Sequence, residues 1–322
     1  MKILVFLMAC ASAATCAVKA EKIAYKGWPN CYRVSNGEVE LVVTADVGPR
    51  VIRYGFVGGQ NVFKEFPDQL GKTGEAQFQL RGGHRVWKAP EDPVESWTPD
   101  NQPVKIELAA DGLTAREPVE SAGLQKEISI HLAPTGTSVT VIHRIANRGQ
   151  SNREFSVWAM SMMAQGGVAI ASFPDRGSYP QHLTATNPLV MWAYTDLSDP
   201  RWKFTRKYMM LRQDPSNPNA EKIGLFSPIP WAAYVRNNEA FIKVAQADRA
   251  RTYPDFGCSF ETFTNNEFLE IETLSPMGKA APGESLEHTE HWSLARGIHL
   301  SEFTDAELDR VILPLVHNIP SQ

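Results

Sequence analysis

Short runs of alternating or β-branched residues, parted by turn residues, recur along most of this chain and constrain its fold more than any other feature. They fall at 39–44, 50–56, 104–109, 124–132, 138–146, 155–163, 223–226 and 240–245. A strand presents every second side chain to one face, and this period dominates while helical periodicity is scarce. The expectation is an all-β chain of stacked antiparallel sheets with few short helices. Thr304-Asp305-Ala306-Glu307 has capping-box spacing and leads into Leu308, Val311 and Ile312, so a helix is expected near the C-terminus. A second short helix is expected after Pro200, around 201–204. Between Phe173 and Asn219 the alternation fades into a stretch rich in Pro, Asp and Asn, which reads as long loops over the sheets.

The 322 residues contain no linker-like break and no fixed-period repeat, so 21–322 is read as a single domain. Residues 1–20 read as a signal peptide, with Lys2, an apolar run from Ile3 to Ala9, and Val18-Lys19-Ala20 at the cut. That run is too short to span a bilayer, and no transmembrane segment is expected. The mature chain is therefore expected in the periplasm or secreted. Leu7-Met8-Ala9-Cys10 approximates a lipobox, so a lipid anchor on Cys10 is the minor alternative. Beyond the leader only Cys31 and Cys258 remain, either a disulfide or two buried thiols. Nothing has zinc-like spacing, no metal or cofactor is expected, and a net charge of −4 disfavours a nucleic-acid partner.

Two stretches carry the chemistry. Within Glu267-Phe268-Leu269-Glu270-Ile271-Glu272-Thr273-Leu274, a strand places Glu270 and Glu272 on one face. Two close, partly desolvated carboxylates cannot both ionise freely, so one pKa should rise into the range that acid–base catalysis uses. Glu261, in Glu-Thr-Phe-Thr-Asn, lies on the preceding strand, and a hairpin would bring it near. The other stretch is Leu80-Arg81-Gly82-Gly83-His84-Arg85-Val86-Trp87-Lys88-Ala89-Pro90-Glu91. Paired glycines allow close backbone approach, and polar side chains crowd around the turn.

Ile271-Glu272-Thr273, Ser275-Pro276, Ala281-Pro282-Gly283-Glu284 and the polar run 285–294 together resemble the end of the aldose 1-epimerase (galactose mutarotase) superfamily. Asn-Cys-Tyr-Arg at 30–33, Asp-Val-Gly-Pro-Arg at 46–50, the Gly-Gly-His-Arg segment at 82–91 and Glu-Thr-Phe-Thr-Asn at 261–265 are similar to a bacterial branch of mutarotase-like proteins without a settled activity. The resemblance spans residues 30–294 and implies a large two-sheet supersandwich with a ligand on its concave face. It implies Glu272 as the catalytic base and a substrate-binding histidine beside the paired glycines. This chain has Arg81 before the glycines and His84 after them, so His84 is taken as the second catalytic candidate.

Arg81, Arg85, Trp87, Glu91, Trp97, Glu261 and Glu270 complete the expected substrate-binding set. Trp87 and Trp97 flank the glycine turn and suit the apolar faces of sugars, whereas Trp158 and Trp292 are expected in the core. One departure matters: mutarotases keep an acid histidine on a strand that here reads Phe155-Ser156-Val157-Trp158-Ala159-Met160-Ser161-Met162-Met163. The expected ligand is a mono- or oligosaccharide, acidic sugars included, and the expected chemistry is isomerase-like. A non-catalytic carbohydrate-binding protein and a polysaccharide lyase or hydrolase are the alternatives.

Overall fold

The computed structural model describes residues 17–319. Most of the expected leader, with Cys10, lies outside the described residues, and Lys19 and Ala20 already belong to the first strand. The alternation becomes two antiparallel sheets. The first runs in spatial order β1 (Lys19–Tyr25), β2 (Trp28–Ser35), β3 (Val39–Thr44), β4 (Val51–Phe56) and β5 (Gly83–Ala89). It continues through β10 (Arg153–Met163), β19 (Leu269–Leu274), β18 (Phe260–Thr264), β15 (Glu221–Leu225) and β12 (Leu189–Met191), with β20 (Gly278–Ala280) paired to β10. The second begins β13 (Trp202–Phe204), β14 (Tyr208–Arg212), β11 (Val168–Ser172), β16 (Trp231–Arg236) and β17 (Glu239–Ala245). It ends β21 (Ser285–Arg296), β9 (Val139–Asn147), β8 (Leu124–Leu132), β7 (Gly112–Arg116) and β6 (Lys105–Ala109). Val43, Val157, Ile223 and Ile271 of the first sheet and Ile130, Val141, Phe241 and Trp292 of the second belong to one buried apolar cluster.

Every residue of β19 is buried, and so are nine of the eleven residues of β10, because both faces of these central strands are covered. One face meets the second sheet. The other is roofed by loops, chiefly those following β4, β5 and β12. The turn before β5 fixes where that roof begins. Gly82 and Gly83 have φ of +95° and +78°, and a Cβ on Gly82 would sit 2.0 Å from Lys64 O. The paired glycines are therefore needed for close backbone approach. Arg50, fully buried, donates to the carbonyls of Leu80 and Gly82 and ties the turn down from below.

The C-terminal helix α1 (Asp305–Val311) forms where the capping signal lies, with Thr304 Oγ1 accepting from Glu307 N. Glu307 does not return that bond to Thr304; it accepts from the backbone of Ser301 and Glu302. A second helix, α2 (Leu313–His317), follows. The expected helix around 201–204 is a strand instead. Asp199 clamps the Arg201 guanidinium through two hydrogen bonds of 2.9 Å, which ends the turn after Pro200 and delivers Trp202 to the edge of the second sheet. Among the described residues, no helix is long and apolar enough to cross a membrane.

Of the two alternatives for the cysteine pair, the structure takes two buried thiols rather than a disulfide. Cys31 and Cys258 are free and buried. Cys31 sits on β2, whereas Cys258 leads into β18, six strands further along the same sheet. Six inter-strand spacings of about 4.8 Å far exceed disulfide reach.

Candidate functional site

The site is built by strand parity across five neighbouring strands of the first sheet. In the registers of β5–β10–β19–β18–β15, Trp158 lies opposite Trp87, Met160 opposite Arg85 and Glu272, Glu261 opposite Glu272, and Phe263 opposite Glu270 and Lys222. All of these side chains turn away from the second sheet. On that side lies a cavity of about 800 Å³, lined by Arg85, Trp87, Trp158, Lys222 and Glu270 and by Phe78, Tyr194, Phe263 and Phe268 from the strands and loops around it, with Glu261 and Glu272 buried beneath the lining. Glu91 and Trp97 stand at its rim, Trp97 Nε1 donating to Glu91 Oε1 at 2.8 Å.

Five ionisable side chains are buried in or beneath this floor, and Lys222 pairs with two of the others. Its Nζ lies 2.7 Å from Glu261 Oε2 and 2.9 Å from Glu272 Oε2, and 4.7 and 4.6 Å from the centres of the Trp158 and Trp192 rings. Burial opposes the ammonium charge, yet Glu272 and Glu261 outweigh it and raise the Lys222 pKa well above its usual value. Trp158 Nε1 also donates to Glu272 Oε2 at 2.8 Å. Alongside, Arg85 Nη2 lies 3.1 Å from Glu270 Oε1, and the guanidinium covers the Trp87 ring at 4.6 Å.

Burial raises the Glu270 carboxyl to about 6, with Arg85 pulling it down and Glu272 pushing it up. Burial likewise lifts Glu261 to about 8, against the pull of Lys222. The floor is also short of partners. Among the described residues, Arg85 Nε and Nη1 and Glu272 Oε1 are buried without a hydrogen bond, and Glu270 Oε1 has the ion contact with Arg85 alone. Such atoms are costly unless something else satisfies them.

Seven of the nine expected residues therefore converge on one side of one sheet: Glu272, Glu270, Glu261, Arg85, Trp87, Glu91 and Trp97. His84 does not join them. It is fully buried on the opposite face of β5, between the sheets, so it and Glu272 share no hollow. Arg81 is also elsewhere: with φ of +52°, it buries its guanidinium against Glu75 and Asp100. Trp158 is buried as expected, but at the cavity floor, while Trp292 lies in the inter-sheet core. Lys222 and Tyr194 were not anticipated. Lys222 carried a usable signal, since extending the run 223–226 back by two residues puts it in phase with Gly224, across from Glu261.

His84 belongs to a second polar cluster, sealed between the sheets. His143 Nδ1 donates to the His288 carbonyl at 2.9 Å, so His143 Nε2 accepts from His84 Nε2 at 2.6 Å, and His84 Nδ1 accepts from Ser161 Oγ at 2.9 Å. His288 Nε2 meets Thr273 Oγ1 at 2.7 Å, and Thr273 donates to Glu290. Trp292 Nε1 and Lys243 Nζ reach Glu290 at 2.8 and 2.9 Å. His84, His143 and Glu290 each bring a potential metal-ligand atom within 4.8 Å of the others. The cluster's hydrogen bonds are mutually satisfied, and Lys243 balances the charge of Glu290.

No protein-family model and no curated protein matches the sequence. Solved structures do match. A protein of Synechocystis superimposes with a TM-score of 0.55 at 13% identity, covering 86% of this chain and 99% of its own. A candidate aldose 1-epimerase of Klebsiella pneumoniae gives 0.53 at 12%, covering 95% and 88%. A candidate mutarotase of Salmonella typhimurium gives 0.52 at 11%, covering 87% and 94%. At such identities the likeness is one of fold. The chain has a two-sheet antiparallel β-sandwich fold like that of these structures.

Proposed function

We propose that this is an exported carbohydrate-binding protein that takes a mono- or oligosaccharide into the cavity over β5, β10, β19, β18 and β15. The observation that carries the reading is a floor of buried polar atoms without partners beneath aromatic walls. Sugar hydroxyls both donate and accept, so one ring can donate a hydrogen bond to Glu270 while accepting from Arg85 Nε and Nη1. Each buried group left unsatisfied costs roughly 1–3 kcal/mol, and a sugar recovers part of that on binding. Its apolar C–H faces suit the Trp87 and Trp158 rings. Calorimetry of the mature chain against neutral and acidic mono- and oligosaccharides tests the proposal. Binding is expected for at least one sugar, with a loss of tenfold or more on Arg85→Met; silence across the panel, or undiminished binding by the variant, overturns it.

The same-face carboxylates favour a second reading, in which the bound sugar's anomers are interconverted. A base takes the anomeric hydroxyl proton while an acid protonates the ring oxygen. Glu272, expected as the base from the family resemblance, is tied to Lys222 and Trp158 through one oxygen and keeps the other free. Glu270, raised to about 6, is the carboxylate that lines the cavity and is ionised above that pH. With His84 on the far face, Lys222 and Tyr194, both with raised pKa, are the protonated groups that line the cavity, and Glu261, raised to about 8, lies buried behind Lys222. NMR of anomer exchange, with Glu270→Gln and Glu272→Gln as controls, decides the matter. A wild-type rate no faster than buffer leaves binding alone.

A further inference from the structure

The cavity is larger and more graded than one sugar ring requires, and we infer that its ligand is an oligosaccharide whose second ring stacks at the rim on Trp97 and Tyr194. This deepens the carbohydrate reading and rests on it. A volume of about 800 Å³ lies toward the upper end of the range for sites that enclose drug-sized ligands. The aromatic lining is arranged in two tiers. Trp87 and Trp158 are buried beside the charged floor, at 6% and 5% exposure, and their edge-to-face contact at 5.8 Å fixes both rings. Trp97 and Tyr194 line the same cavity but remain 51% and 45% exposed.

Those rim rings are held in place. Trp97 spends its only N–H on Glu91 at 2.8 Å, and the Tyr194 ring sits edge-on to Phe263 at 6.4 Å. Of the charged groups that line the cavity, Arg85, Glu270 and Lys222 are on the floor, while Glu91 at the rim already accepts from Trp97 through one oxygen. A ring beyond the first would therefore find apolar stacking and few polar contacts. The floor selects the first sugar, and the rim rewards chain length.

Calorimetry with glucose, cellobiose and cellotriose, and with galactose, galactobiose and galactotriose, tests this on the wild type, Trp97→Ala and Tyr194→Ala. In the series that binds, affinity should rise at least tenfold from mono- to di- or trisaccharide, and each rim substitution should cut that ratio by more than half. Equal affinity along the series overturns the inference while leaving the carbohydrate reading intact. So does an equal loss for every chain length on Trp97→Ala and Tyr194→Ala. Failure of every sugar to bind sinks both.

Discussion

Replacing His288 by glutamine should change how stability responds to acid. His288 is buried, and burial holds its ring at about 3, against roughly 6.5 in an unfolded chain. With the folded pKa depressed, acid protonates the unfolded chain first. Below pH 6.5 the unfolded state gains a proton that the native ring refuses, so stability falls as pH drops toward the folded value. Each pH unit costs about 1.4 kcal/mol, so by pH 5 the wild type loses roughly 2 kcal/mol through His288 alone. The figure requires only that the native ring stay neutral at pH 5. His84 and His143, lowered first of all by burial, pull the same way.

Buried carboxyls oppose them. Glu117 and Glu261, raised to about 8 mainly by burial, and Glu270, raised to about 6, keep protons in the native state that the unfolded chain releases above its ordinary carboxyl range. Their contribution to stability is present at low pH and lost as pH rises through those values. The wild-type profile sums both trends, so the informative quantity is a difference. Urea unfolding of wild type and His288→Gln at pH 7.5 and pH 5.0 supplies it. Glutamine keeps a donor for Thr273 but cannot titrate, so whatever the substitution costs at pH 7.5 should shrink by roughly 2 kcal/mol at pH 5.0. Parallel profiles would refute a buried neutral His288.

Lys222→Met should destabilise the fold by about 3–5 kcal/mol at neutral pH, because it leaves the buried Glu272 without its counter-charge and Glu261 without its hydrogen-bond donor. Adding Glu272→Gln should recover part of that loss in chemical denaturation; a single variant as stable as wild type would contradict the buried triad. Thiol labelling of residues 21–322 without reductant should find no reactive cysteine in the native state and two after unfolding. Cys31 and Cys258 are unpaired, and burial pushes both thiols up, Cys31 to about 12. Two thiols masked by a disulfide even after unfolding would restore the bridge that the sheet order excludes.

Much of the architecture was legible because burial imposes a period of two that survives in the residue pattern. The runs at 39–44 and 124–132 match β3 and β8 end for end, and 155–163 differs from β10 only where the strand starts at Arg153. Three-residue strands such as β12 and β13 carry no such signal, since so short a run displays one face twice and the other only once, too little to mark a period. Pro200 misled for a related reason: a helix-start signal is local, whereas Trp202 is drawn to the sheet edge by pairing with Leu211. The hairpin that sets Glu261 against Glu272 was readable because Asn265 marks its turn, accepting from the backbone of Glu267 and Phe268.

The site was half legible, and the error at His84 has a definite physical source. Arg85 and Trp87 share a face of β5, so alternation alone assigns His84 to the other one. Treating the Gly-Gly-His-Arg segment as a loop hid that parity, because a loop has no faces. The strand begins at Gly83, and from there every second side chain is committed. The same rule explains how one strand serves two polar clusters. β19 sends Glu270 and Glu272 to the cavity and Thr273 to His288 and Glu290, while Lys243 Nζ bonds the Ile271 carbonyl from behind at 3.1 Å. The carboxylates are thus held on a strand whose opposite face is pinned by a satisfied hydrogen-bond network. That pinning gives the inter-sheet histidines a physical role without any contact with a ligand: they fix the register from which Glu270 and Glu272 project.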